Sequence, residues 1–301
     1  MDSIELCRLS IVPPSTNLKK ISIVTDFGTK LRNYPSPPGL KIQLFYGREA
    51  SKDVKLIAKG GNGIIYLFYW EYQRIILKFP FKEPYFEPER VENTLKGYQH
   101  DIIPYRIIYD QWKNPFMIMQ QASGSIYELI GKKVTAIFRY KMIRHYSKAI
   151  YDFWRKGLVF TDMKPENLLY QCYRPGVISK SGIHMYFGDI GAFSIKGETT
   201  YDYEVEPPEN VGIVDKNFCL FSIGLMVIGI FDFSYSRPEK DKPKSYQKKF
   251  YEPLSSQIDK FVGNKKIASL TKKLLMEDSF YREKLGVKEV VDMINEKSKE
   301  K

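Results

Sequence analysis

From Phe218 to Phe231 the chain carries no charged side chain, and the run fits a helix buried on all sides. It is shorter than the roughly 18 to 20 residues that a membrane-spanning helix needs. Its surroundings must therefore be protein, and the rest of the chain has to supply a core large enough to enclose it. With 301 residues and 43% hydrophobic content the chain can do so, as one large domain or as two lobes sharing a cleft.

The segments before that run have a different period. From Lys55 to Phe79 apolar β-formers dominate in two stretches, Ile64 to Trp70 and Ile75 to Phe79, broken by Glu71 and Gln73, which predicts antiparallel strands joined by a turn. A helix is predicted over Pro88 to Gln99. From Ala136 onward the spacing becomes helical: Ile143, Tyr146, Ile150, Phe153 and Trp154 recur at intervals of three and four, and Gly157 follows as a stop. Leu274, Leu275, Val287, Val290, Val291 and Ile294 predict closing helices. Chain order is thus sheet first, helices after, an α+β arrangement. Residues 1–40, with Pro13-Pro14, Pro35, Pro37-Pro38 and a strand-like Ile21-Ser22-Ile23-Val24, are expected to form an extension packed on the main domain. A first lobe is expected over residues 41–121 and a second over residues 122–301, bounds that rest on the family resemblance given below, and the lysine- and proline-rich stretch 236–249 of the second reads as an exposed basic loop.

The net charge of +12 calls for anionic partners, among them nucleotide, acidic protein, nucleic acid or a membrane face. Three cysteines without CxxC spacing exclude a disulfide framework and a zinc site, and point to a reducing compartment. No basic segment followed by an apolar run opens the chain, so a soluble intracellular protein is expected.

Several segments carry phosphate chemistry. Ala58-Lys59-Gly60-Gly61-Asn62-Gly63-Ile64-Ile65 lies between strand-like runs, where small residues let backbone amides approach phosphate oxygens; alone it is also the composition of a plain hairpin turn. Lys78 sits inside the apolar run Ile75 to Phe79, where an ammonium must reach water or meet an anion. Glu92 on the helix after it is the carboxylate chosen to orient that lysine, ahead of Glu89. Further on, Asp162-Met163-Lys164-Pro165-Glu166-Asn167-Leu168 follows a long amphipathic helix and the strand-like Leu158-Val159-Phe160.

That run resembles the D-L-K-P-E-N-L catalytic loop of eukaryotic-type protein kinases, and the resemblance covers roughly residues 55 to 295. It implies a bilobal protein-kinase-like fold, with a small antiparallel β-sheet N-lobe carrying one helix and a larger, mainly helical C-lobe. It further implies a divergent serine/threonine kinase, of a kind associated with large DNA viruses, that moves the γ-phosphoryl group of ATP to protein hydroxyls with Mg2+, or with Mn2+ in its place. A viral source would add association with the virion. Asp162 would take the acceptor's proton, Lys164 would screen the γ-phosphate, and Asn167 would ligate metal. Gly188-Asp189-Ile190-Gly191 is similar to D-F-G with isoleucine for phenylalanine, making Asp189 the second metal ligand. Ala58, Gly60, Gly63 and Ile65 would cover the nucleotide, with Ala58 substituting the first glycine. Met119 would be the gatekeeper, and the Gln120 and Ala122 backbones would face adenine. Asp26-Phe27-Gly28 matches D-F-G literally but precedes the glycine loop, and is read as a turn.

Pro207-Pro208-Glu209 resembles A-P-E, Phe221-Ser222-Ile223-Gly224 resembles W-S-L-G, and Asp278 to Arg282 resembles D-P-x-x-R. In the family the last arginine pairs with the A-P-E glutamate. A buried Glu209–Arg282 pair is therefore expected, and breaking it would cost about 3 to 5 kcal/mol.

The sequence also departs from the family. Phe160-Thr161 replaces the histidine and arginine before the catalytic aspartate, and that arginine normally grips an activation-loop phosphate. Loop-phosphate control is therefore not expected, although Thr199, Thr200, Tyr201 and Tyr203 remain modifiable. Cys219 falls where the family has an aspartate bracing the catalytic loop, with Asp215 as the alternative brace. Lys164 two residues after the base matches serine/threonine kinases. Competing readings are a catalytically impaired scaffold, a basic nucleic-acid-binding protein, and a phosphotransferase acting on small molecules or lipids. Nucleic acid is the less favoured partner, and the sequence is silent on oligomeric state.

Overall fold

The computed structural model describes residues 22–25, 42–46, 49–51, 54–60, 63–70, 73–80, 88–96, 101–110, 113–130, 134–172, 183–199, 207, 212–231, 251–276 and 279–298. The chain divides into two compact units, with a boundary between Ser123 and Gly124. Among the described residues no helix is long and apolar enough to cross a membrane.

Among the described residues the first unit holds two antiparallel sheets. Strands β1 (Ser22–Thr25), β2 (Ile42–Tyr46) and β3 (Glu49–Ser51) form one, in that order. β4 (Val54–Gly60), β5 (Gly63–Trp70), β6 (Gln73–Pro80), β7 (Tyr105–Tyr109) and β8 (Pro115–Gln120) form the other, in the order β4-β5-β6-β8-β7. Helix α1 spans Pro88–Leu95. It stops short of the expected Gln99, for which Gly97, a residue that favours helix termination, is a physical reason. The β-branched and aromatic content of β5 and β6 suits a pleated surface, and burial alternates along them as the two-residue period requires. Ile64, Tyr66, Ile75, Leu77 and Phe79 are buried on one face, while Ile65, Leu67, Ile76 and Lys78 are half-buried on the other.

The second unit begins with β9 (Gly124–Ser125) and contains helix α2 (Ala136–Arg155), β10 (Leu158–Phe160), β11 (Leu168–Cys172), β12 (Ile183–Phe187), β13 (Phe193–Ile195) and α3 (Lys216–Ile230). Helices α4 (Glu252–Phe261), α5 (Lys265–Leu275), α6 (Phe280–Glu283) and α7 (Val287–Lys297) close it. Start signals are explicit: Thr135, Asp215 and Asn264 each accept backbone N–H bonds as N-caps of α2, α3 and α5. Gly157 ends the α2 segment at φ +84°, a left-handed conformation that favours glycine.

Helix α3 is the centre of this unit. Every residue from Phe218 to Ile230 is buried, and α2, α5, α6 and α7 all pack against it. Fully burying side chains of this size stabilises by about 1.5 to 3 kcal/mol each, so α3 organises the unit around itself. Gly224 lets α5 approach closely: a Cβ there would lie 2.8 Å from Leu275 Cγ and 3.1 Å from Leu274 Cβ. Arg139 of α2, buried, donates from its guanidinium to the Ile230 carbonyl and sits over the Phe231 ring, tying α2 to the end of α3.

Candidate active site

Strand register places the proposed nucleotide residues of the first unit. Ala58 is paired with Ile65, Ile65 with Lys78, and Lys78 with Met117; Ile76 is paired with Met119. Directly paired residues of antiparallel strands share a face, so Ile65, Lys78 and Met119 lie on the same face of the sheet. It is the half-buried face at β5 and β6, whereas the opposite face is core. β4 and β5 close through Gly60 paired with Gly63, and Gly63 has φ +154°. Between Leu56 and Ala58 the register shifts, and Leu56 and Ile57 are 55% and 43% exposed. This exposed apolar pair leading into the glycine loop was not singled out in the sequence, where it reads as ordinary strand.

Met119 is buried near the end of β8; Gln120 ends that strand, and Ala122 follows, both half-buried. The intervening Gln121 amide is spent on the Arg74 carbonyl at 2.9 Å. Glu92 is exposed on α1, and its charge bears on Tyr105, whose hydroxyl is pushed up to about 12, mainly by burial and further by Glu92.

In the second unit, β10 delivers Thr161 and Asp162, and a 3-10 turn at Pro165–Asn167 bends the chain back into β11. The turn brings three side chains together. Lys164 Nζ lies 2.6 Å from Asp162 Oδ2, with Asp162 buried and Lys164 38% exposed. Asn167 Nδ2 donates to Asp162 Oδ2 at 2.7 Å and to the Asp162 carbonyl at 2.9 Å. The Asn167 carbonyl accepts from Gly188 N at 2.8 Å, which joins this loop to the turn bearing Asp189. Asp189 caps its own 3-10 turn, Oδ1 accepting from Gly191 N at 3.2 Å. Tyr146 of α2, its hydroxyl raised well above the usual range by complete burial, donates to the Leu169 carbonyl at 2.5 Å and fixes the start of β11.

Beneath the loop is an aromatic cluster. Phe187 is fully buried, with ring centroids of Tyr146, Phe153 and Phe160 at 5.4, 5.4 and 4.8 Å. Phe193 lies 4.8 Å from Phe153 and 5.0 Å from Phe160. Phe160 therefore joins β10 to both strands flanking Asp189. Thr161 makes a further tie, donating N–H and hydroxyl to the Ala192 carbonyl at 2.7 and 2.8 Å. In the sequence these two residues registered only as departures; their contacts lie some thirty positions away, and a hydroxyl beside the aspartate is the sole local signal.

Asp215 is the N-cap of α3, its Oδ1 accepting from Phe218 N at 2.8 Å. Cys219, a turn further, is wholly buried; desolvation first, and Asp215 less, push its thiol up to about 12, with Lys196 acting in the opposite sense. Arg282 is also fully buried, donating to the Leu274 and Met276 carbonyls at 2.8 and 2.5 Å and facing the Phe221 ring. Glu209, Asp278, residues 26–28, Gly61-Asn62 and the basic loop 236–249 lie outside the described residues.

Among the described residues no group of three or more histidine, cysteine, aspartate or glutamate side chains is placed to hold a metal ion. The two residues that the sequence assigns to a metal, Asn167 and Asp189, offer an amide oxygen and a carboxylate, types that would suit a hard cation whose remaining ligands come from phosphate and water. Asn167 Nδ2 is engaged by Asp162, so Oδ1 is the atom that Asn167 would offer.

No family model matches the sequence, and no curated protein matches it. Among solved structures the chain is similar to that of the kinase PK-1 of the Cydia pomonella granulovirus, with TM-score 0.56 and 19% identity over 80% of this chain and 92% of that one.

Proposed function

We propose that this chain, which has the fold of a viral protein kinase, transfers the γ-phosphoryl group of ATP to serine and threonine hydroxyls of proteins with Mg2+. The observation that carries the reading is the contact of Asp162 with both Lys164 and Asn167, in a loop bonded through Gly188 to the turn bearing Asp189. Phosphoryl transfer relies mainly on positioning and electrostatics, and this group supplies both.

Asp162 is a buried carboxylate held from one side by the Asn167 amide, so its position is fixed when an acceptor hydroxyl arrives. It accepts that hydroxyl's proton as the oxygen attacks phosphorus. Lys164 is the half-exposed member; its ammonium lies against Asp162 and is assigned to screening the transferring phosphate. Asn167 Oδ1 and the Asp189 carboxylate would hold Mg2+, or Mn2+, which when bound neutralises phosphate charge. Lys78, half-buried on its sheet face beside Ile65, is assigned to the ATP phosphates, with Glu92 as its orienting carboxylate. Ala58, Gly60, Gly63, Ile65, Met119 and the Gln120 and Ala122 backbones are assigned to covering ATP. With threonine in place of the arginine before Asp162, control by an arginine-held loop phosphate is not part of the mechanism.

The test is phosphate transfer from ATP to a mixture of proteins, followed by identification of the modified amino acid, with Lys78→Met and Asp162→Asn as controls. Phosphoserine and phosphothreonine that vanish in both variants are expected. Signal that persists in both would sink the assignment; salt-sensitive nucleic-acid binding with no transfer would favour the basic binding-protein reading.

A further inference from the structure

We infer that the Thr161 hydroxyl is a positioning residue, fixing the turn that bears Asp189 against the loop that bears Asp162 through an uncharged bond in place of a phosphate-arginine latch. The inference rests on the kinase reading above and deepens it.

Thr161 is 5% exposed and directly precedes Asp162. Its N–H and its Oγ1 both donate to one acceptor, the Ala192 carbonyl, at 2.7 and 2.8 Å, which uses both lone pairs of that oxygen. Ala192 closes the short turn opened by Asp189, its own amide donating to the Asp189 carbonyl at 3.1 Å. At the other end Gly188 N reaches the Asn167 carbonyl at 2.8 Å. The segment from Thr161 to Asn167 and the segment from Gly188 to Ala192 are therefore bonded at both ends, and the proposed base and metal ligand sit inside the frame. Most of these ties are backbone to backbone and would form with any side chain. The Thr161 hydroxyl is contributed by residue identity, at the position where the resemblance calls for arginine.

The chain beyond Ala192 is held by backbone bonds as well, alongside the Glu198 carboxylate, which accepts from Ile195 N at 2.8 Å, and the Lys196 ammonium over the Trp154 ring. β13 pairs with β10 from Leu158–Ile195 to Phe160–Phe193; Lys196 N donates to Gly157 O at 2.9 Å, Gly197 N to Val214 O at 2.8 Å, and Val214 N to Glu198 O at 2.9 Å. Thr199, exposed, bridges to Ile213. None of these bonds needs a phosphate to form.

The experiment compares Thr161→Val, which removes the hydroxyl and keeps the shape, with Thr161→Ser, which keeps the donor, both as dephosphorylated full-length protein. Two readouts are taken: steady-state transfer as a function of ATP and Mg2+, and amide hydrogen exchange. Thr161→Val is expected to lower kcat about tenfold or more, as small displacements of reacting groups do, with KM for ATP within about twofold and more Mg2+ needed for half-maximal rate. The Gly191 and Ala192 amides should exchange about tenfold faster while those of α3 are unchanged. Thr161→Ser should behave as wild type in both readouts, and Thr199→Ala should leave kcat unchanged. Wild-type kcat, Mg2+ requirement and exchange in Thr161→Val would overturn the inference, as would Thr161→Ser being impaired like Thr161→Val. If the wild-type protein transfers no phosphate, the kinase reading falls by itself, and the exchange data still decide whether Thr161 clamps the Asp189 turn.

Discussion

Phe187 links the packing of the second unit to its proposed metal ligand, because it is fully buried and stands two residues before Asp189. Its ring meets Tyr146, Phe153 and Phe160 at centroid distances of 5.4, 5.4 and 4.8 Å, with Phe193 at 6.2 Å. Truncation to alanine removes the transfer free energy of the ring and leaves a hole walled by rigid rings, which collapse onto it less readily than aliphatic side chains do. The expected cost of Phe187→Ala is thus in the upper part of the range for buried aromatics, about 4 to 5 kcal/mol. Phe187→Leu keeps much of the volume and loses the edge-to-face geometry, worth about 0.5 to 1.5 kcal/mol per pair, so about 2 kcal/mol is expected. In a unit of this size each kcal/mol lowers the melting midpoint by about 2 to 4 °C, giving drops of about 8 to 20 °C and 4 to 8 °C. Urea unfolding of the two variants and the wild type measures both costs. A Phe187→Ala cost below about 1 kcal/mol would refute the packed cluster. Equal costs for the two variants would show that ring geometry, not volume, carries the effect.

Burial holds the Cys219 thiol near 12 against a usual 9. The unfolded chain therefore loses this proton first, so the contribution of this thiol to stability is full below pH 9 and is lost as pH rises from there toward 12; urea midpoints against pH should show this component vanish in Cys219→Ala. The same thiol should resist alkylation at pH 8 until the protein unfolds. Gly188→Ala would put a Cβ 2.7 Å from Leu169 Cδ1 and 3.4 Å from the Asn167 carbonyl; since Leu169 is only half-buried and can shift, a kcat loss of about tenfold with a melting midpoint lowered by only a few degrees is expected. Arg139→Met should cost about 1 to 3 kcal/mol by leaving the Ile230 carbonyl without its charged donor, which thermal unfolding would detect.

Much of this architecture was written in local pattern. β5 and β6 follow from dense β-formers, α2 from its three-and-four spacing and Gly157, and α3 from a run with no polar side to expose. Asp162, Lys164 and Asn167 are legible because they are contiguous, and a tight turn brings contiguous side chains into contact. What stayed hidden depends on pairing over distance. β2 as the partner of β1, the Phe187 cluster and the Thr161–Ala192 bonds join residues that only the third dimension brings together. The choice between Asp215 and Cys219 was open in sequence because both precede the same helix motif; in the structure the Asp215 carboxylate is occupied as the α3 cap, and Cys219 is a buried thiol one turn later. Glu92 shows the converse: its place on α1 was legible, and in the structure it is exposed with its charge bearing on Tyr105.

On the proposed reading Asp162 belongs to a working phosphotransferase and not to an inert copy of one. The most direct measurement is the rate of phosphate transfer at saturating ATP and Mg2+ for wild type and Asp162→Asn, with nucleotide affinity measured alongside. Transfer to serine and threonine that falls by about 100- to 10,000-fold in the variant, at unchanged nucleotide affinity, is the expected result. A wild-type protein that binds nucleotide but transfers phosphate no faster than Asp162→Asn would contradict it.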